Sequence, residues 1–134
     1  MKTVVHHLNR DLAIAHGLGS DEEHIYPLAD AHCVGFRGDL GTRGVEAVQA
    51  LWTAGCYVPV AIVDGMDLDF AFCATNSINT PWWDQTRAGL RPMKALDTGH
   101  RSTSVGDVLE VVSRTRSDFY IVSSSGFEPL GVHA

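Results

Sequence analysis

The closing stretch of the chain constrains the fold most, because it writes a strand pairing into adjacent sequence. Val108-Leu-Glu-Val-Val112 and Phe119-Tyr-Ile-Val122 are β-branched and aromatic runs separated by the polar turn Ser113 to Ser117. Two such runs joined that closely read as an antiparallel hairpin. Ser123-Ser-Ser-Gly126 then turns the chain into Phe127 to Leu130. The sequence predicts a C-terminal β-meander, and any sheet elsewhere in the chain must be compatible with it.

The remaining punctuation is that of a small mixed domain. Lys2 to Leu8 is short and β-branched and reads as a first strand, ended by Asn9-Arg-Asp11. From Asp11 to Ile25, Leu12, Ile14 and Leu18 hold no single period and Gly17, Gly19 and Ser20 interrupt them, so a loop with one helical turn is expected. Ala31 to Phe36 reads as a second strand followed by a turn at Gly38, Asp39 and Gly41. Thr42 offers an N-cap hydroxyl, Glu46 a first-turn negative charge, and Val45, Val48, Leu51 and Trp52 an apolar stripe that Gly55 terminates. Tyr57 to Val63 is a strand carrying Pro59, which suits a strand start or an edge. Asp64-Gly65 turns into a short helix, Leu68 to Thr75, capped by Asp67 and apolar nearly all round. Ser77 to Arg101, with Pro81 and Pro92, reads as a long irregular segment, either functional or mobile, and is the candidate for a working loop. The expected fold is a single compact α+β domain over residues 1–134, with a mainly antiparallel sheet, two helices on one face and the terminal meander.

Bulk properties narrow the function. A chain of 134 residues can bury a core of its own, and 45% hydrophobic against 19% charged residues is ordinary for a globular protein. The net charge of -6 disfavours direct, sequence-independent attraction to nucleic acid, which depends on Lys and Arg contacts to phosphate. Cys33, Cys56 and Cys73 form no Cys-x-x-Cys pair, and an odd count suits a reducing compartment. The opening residues lack the pattern of a signal peptide, and no segment has the apolar length of a membrane span. A cytoplasmic protein with no membrane partner is expected.

His6, His7, His24, His32, His100 and His133 lack metal-ligand spacing, and adjacent histidines on a strand diverge to opposite faces. Asp64, Asp67 and Asp69 lack the full oxygen set of a calcium loop, and capping accounts for the last two. No metal and no cofactor is expected. Ser123-Ser-Ser-Gly126 lacks the Gly-x-Ser-x-Gly elbow of a serine hydrolase, and Gly35, Gly38, Gly41 and Gly44 do not match a phosphate-binding loop. Trp82 and Trp83 after Pro81 are different: in an irregular segment such a pair either anchors the loop on the core or offers a partner contact.

Ala74-Thr-Asn-Ser-Ile-Asn-Thr-Pro-Trp-Trp83, Arg101-Ser-Thr-Ser-Val-Gly-Asp-Val108 and Phe119 to Leu130 together resemble the YodL-like family of small domains, over Tyr57 to Leu130. That resemblance implies a domain carried by plasmids, phages and other mobile elements, with no established catalytic residues. The expectation is a non-enzymatic factor that binds a host protein or nucleoprotein effector, as an anti-CRISPR inhibitor does. Its acidic residues Asp21, Glu22, Glu23, Asp67 and Asp69, anchored by Trp82 and Trp83, would meet the target's basic surface. Two alternatives stay open. One is a small enzyme acting on a nucleotide or modified protein, with His100, Arg101, Ser104 and Asp107 lining a pocket under the long loop; the other is a homodimer or larger oligomer formed through a strand edge.

Overall fold

The computed structural model describes residues 1–16, 41–76, 82, 89–93, 102–104, 106–123 and 126–131. In chain order these form β1 (Lys2–Leu8), α1 (Arg10–Ala15), α2 (Gly41–Thr53), β2 (Tyr57–Asp64), α3 (Leu68–Thr75), β3 (Leu90–Pro92), β4 (Val108–Val112), β5 (Ser117–Ser123) and β6 (Gly126–Pro129). The strands make one six-stranded sheet in the order β3-β2-β1-β4-β5-β6. Every neighbouring pair in it is antiparallel. The molecule is an α+β fold, and β4-β5-β6 is the meander written in the C-terminal sequence.

Local chemistry explains the element boundaries. Asp67 accepts a hydrogen bond from the Phe70 N–H at 3.2 Å and so caps α3, as its sequence position suggests. Asn9, expected as a strand terminator, also caps: its side chain accepts from the Leu12 N–H at 3.0 Å and opens the six-residue α1. The helix α2 already includes Gly41, one residue ahead of the expected Thr42 cap. Pro59 lies in β2 at the register shift opposite Val5 and His6, a bulge where a missing N–H is tolerated. The expected strand Ala31 to Phe36 and its following turn at Gly38 and Asp39 lie outside the described residues.

One expectation for the long segment from Ser77 to Arg101 is corrected. It contains β3, which pairs with Ala61 to Val63 and extends the sheet, flanked by Asp64 N–H to Gly89 O and Met93 N–H to Val60 O bonds of 2.8 Å each. Three residues ending in proline give no period to read, yet an edge strand needs none, because its second side makes no ladder bonds.

The placement of the helices is also corrected. Side chains alternate across a strand, and residues paired in register share a face. Leu8, Val108, Phe119 and Ile121 pack with Val48 and Leu51 of α2. Val5, Val58, Ala61, Val63, Leu109 and Val122 pack with Ala71 and Ala74 of α3 and with Trp82. The register pairs Val5 with Leu109 but His6 with Val108, so the two sets point in opposite directions. The two longer helices therefore cover opposite faces of the sheet and do not share one.

Candidate functional site

The Gly106-Asp107 pair of the motif is spent on the fold. Asp107 is 1% exposed, and its carboxylate accepts from two backbone donors, Leu8 N–H at 2.9 Å and Ser104 N–H at 2.8 Å. The first of these bonds ties the loop before β4 to the end of β1. Gly106 has φ +94°, a conformation open to glycine at little cost. Its N–H donates to Val122 O at 2.9 Å and its carbonyl accepts the Tyr57 hydroxyl at 2.6 Å. Gly-Asp is thus a fastening between β1, β2 and β5.

Beside it runs a chain of buried polar side chains with a forced direction. Thr75 Oγ1 lies 2.8 Å from the Ala71 carbonyl, which can only accept, so Thr75 spends its single proton there. Thr75 must then accept from Thr103 Oγ1 at 2.7 Å, and Thr103 in turn must accept from His7 Nε2 at 2.8 Å. His7 therefore carries a proton on Nε2. Asp107 Oδ2 stands 3.9 Å from that nitrogen and the Trp82 ring meets the imidazole edge-on at 6.3 Å. Thr103 also accepts the Asn76 side-chain amide on its carbonyl at 2.5 Å and donates its N–H to Thr75 O at 2.8 Å. The chain leaves α3 and returns for β4 through this closed neck.

On the opposite face His6 Nε2 lies 2.9 Å from Glu110 Oε1, and its ring stands edge-on to Trp52 at 5.0 Å. The hydrogen bond from His6 holds the Glu110 carboxyl below its usual range, helped by a bond from Ser117 and the positive charges of His6 and Lys2, against the opposing effect of burial. Burial pushes the Cys56 thiol up, which suits a small apolar group in the core. Among the described residues no group of three or more His, Cys, Asp or Glu side chains is placed to hold a metal ion, and no helix is long and apolar enough to cross a membrane.

The surface with a chemical character of its own is the end of the sheet where β1 begins. Register places Lys2 between Asp64 and Val112. The Gly65 N–H donates to Met1 O at 3.1 Å and Thr3 Oγ1 donates to Gly65 O at 2.9 Å, so the β2–α3 turn is fastened to the start of β1. Gly65 takes φ +89° to make that turn. Met1 and Met66, 77% and 48% exposed, are the large hydrophobic residues left in the open among those described. Asp64, Asp67 and Asp69 are exposed in the same turn and helix start as Met66, and Arg114 and Arg116 are exposed at the β4–β5 turn.

These positions sort the sequence candidates. Asp67 and Asp69 are exposed and share the first turn of α3. Trp82 is 2% exposed and packs in the core, so it anchors the chain and is corrected as a partner contact. Ser104 is exposed, whereas Asp107 is buried and held by backbone donors, so these two do not line an open pocket together. Asp21, Glu22, Glu23, Trp83, His100 and Arg101 lie outside the described residues. Sequence reasoning missed Met66, Thr75 and Thr103, and weighed His7 only as a metal ligand. An exposed methionine in an acidic turn was a readable signal; the hydrogen-bond chain was not, because it joins residues 28 and 96 positions apart. No protein-family model, curated protein or solved structure matches this chain.

Proposed function

We propose that this chain is a non-enzymatic protein-binding factor of a mobile genetic element. On this reading its acidic surface occupies the basic, nucleic-acid-binding surface of a host defence effector, as an anti-CRISPR inhibitor does. The observation that carries the reading is the β2–α3 turn, where Asp64, Met66, Asp67 and Asp69 are all exposed on backbone fastened to β1. A fixed turn loses little entropy on docking, and an apolar side chain exposed in an acidic turn supplies contact area as well as charge. The net charge of -6 favours encounter with a basic partner. The motif adds support from the other side, since its aspartate and glycine are committed to holding strands together. Met66 takes the anchoring role that Trp82, buried, does not serve, while Asp21, Glu22, Glu23 and Trp83 remain candidates for the rim.

The test is a binding assay with purified nucleoprotein effector complexes, RNA-guided nucleases first, read as release of labelled target DNA. The expected result is displacement by the wild-type chain and displacement weakened about tenfold or more by the double variant D67K/D69K. Absence of displacement across such complexes, or equal potency of the charge-reversed chain, would discard the reading.

A further inference from the structure

Among the described residues β3 and β6 are the outer strands of the sheet, and the hydrogen-bond pattern fixes which backbone groups each turns outward. In an antiparallel pair, residues that exchange ladder bonds alternate with residues whose N–H and C=O point away from the partner strand. Leu130 N–H donates to Phe119 O at 2.9 Å, so by alternation Gly126 and Glu128 face β5 while Phe127 and Pro129 face outward. On β3, the bonds from Asp64 N–H to Gly89 O and from Met93 N–H to Val60 O mark the paired positions, so Arg91 faces β2 while Leu90 and Pro92 face outward. Proline has no N–H to offer. Each strand therefore presents one outward donor, the N–H of Leu90 or of Phe127, beside two outward carbonyls. Gly89 at φ +80° and Gly131 at φ +75° break the extended backbone before β3 and soon after β6, so neither margin runs on in that direction.

Two separate strands thus carry proline at an outward position, where it takes no bond from the sheet itself. Its effect falls on an incoming strand: the ring Cδ stands where the N–H hydrogen would be, and the carbonyl that approaches it is left unpaired. Two copies pairing antiparallel through β6 would set Phe127 of each against Pro129 of the other, and each such pair would make one of its two bonds. Pairing through β3 gives the same result with Leu90 and Pro92. We propose that Pro92 and Pro129 close both margins of the sheet to strand addition, so that β3 and β6 take neither a second copy nor an extended peptide as a further strand. The shortness of these strands, three and four residues, acts in the same sense. The proposal stands apart from the functional reading above, and it requires any target to be engaged through side chains of turns and helices.

Substitutions that restore the missing N–H test this against neighbours whose N–H already serves the ladder. Pro92→Thr and Pro129→Thr, singly and together, are compared with Arg91→Thr and Glu128→Thr, which put the same strand-forming residue at positions facing β2 and β5. Mass is followed by sedimentation across a series of protein concentrations, amide exchange at Leu90 and Phe127 by NMR, and the integrity of each variant by its urea midpoint. In the wild type, exchange at the two amides is expected to be independent of concentration. The double proline variant associates about tenfold or more tighter than the wild type, and the two amides slow as it does so. Arg91→Thr and Glu128→Thr behave as the wild type. Where threonine prevents folding, alanine, which restores the same N–H, takes its place. Wild-type association that slows either amide, a folded double variant that stays single, or equal association of the Arg91 and Glu128 variants would overturn the proposal.

Discussion

At the scale of single residues, the structure turns on where buried polar atoms find partners. Asp107 is the clearest case, since removing its carboxylate takes an acceptor from two backbone donors, Leu8 N–H and Ser104 N–H, of which the first is buried. A buried donor left unsatisfied costs about 1–3 kcal/mol, so Asp107→Ala is expected to lose about 3 kcal/mol in urea unfolding, with Asp107→Asn losing less because its carbonyl still accepts. Equal losses for the two would show that packing and not the acceptor matters. Glu110 gives a pH signature. Its carboxyl titrates lower in the fold than in the open chain, so its contribution is present above the ordinary glutamate range and is lost as pH falls through the folded value. Unfolding midpoints followed from neutral to acid pH should therefore decline less steeply for Glu110→Gln than for the wild type. A parallel decline would remove His6 and Glu110 from the acid response.

At the scale of elements, what the sequence made legible was whatever is specified locally. The β-branched runs became β1, β2, β4 and β5 with ends shifted by at most two residues, and Asp67 capped the helix it preceded. The apolar stripe of α2 also holds: Leu51 is fully buried against Ile121 and Leu130, and Leu51→Ala should cost about 2–5 kcal/mol by chemical denaturation. A loss below about 1 kcal/mol would place that stripe away from the core. What was not legible depends on pairing between distant segments. The face a helix covers follows from strand register, which alternation alone does not assign, so α2 and α3 were expected together and lie apart. Leu90–Pro92 is a strand because Ala61 to Val63 offers an open edge, and α1 forms because Asn9 finds Leu12 before the glycines beyond it intervene.

At the scale of the whole molecule, two cores back to back share a single sheet, and each is sealed by a different helix. Both cores are built on the same strands, so neither survives loss of the sheet, and the described part should unfold as one unit. Thiol reactivity reads this directly. Cys73 is exposed, whereas Cys56 is fully buried with its thiol pushed up, so a thiol reagent followed by peptide mass spectrometry should modify Cys73 quickly. Cys56 should react only at the rate of global opening, and added urea should accelerate it alone; comparable rates for the two in native buffer would contradict the packing of α2. The closed neck at Thr75, Asn76 and Thr103 bears on how such a chain can diversify. Because Thr75 and Asn76 are joined to Thr103 by hydrogen bonds, the two ends of the cassette between them are held together by the frame itself. Outside Trp82 and Leu90–Pro92, doubling the length of an insert there costs the frame about 0.6 kcal/mol in closure entropy. A lineage under pressure to change what it touches could rewrite that cassette repeatedly and never renegotiate its sheet.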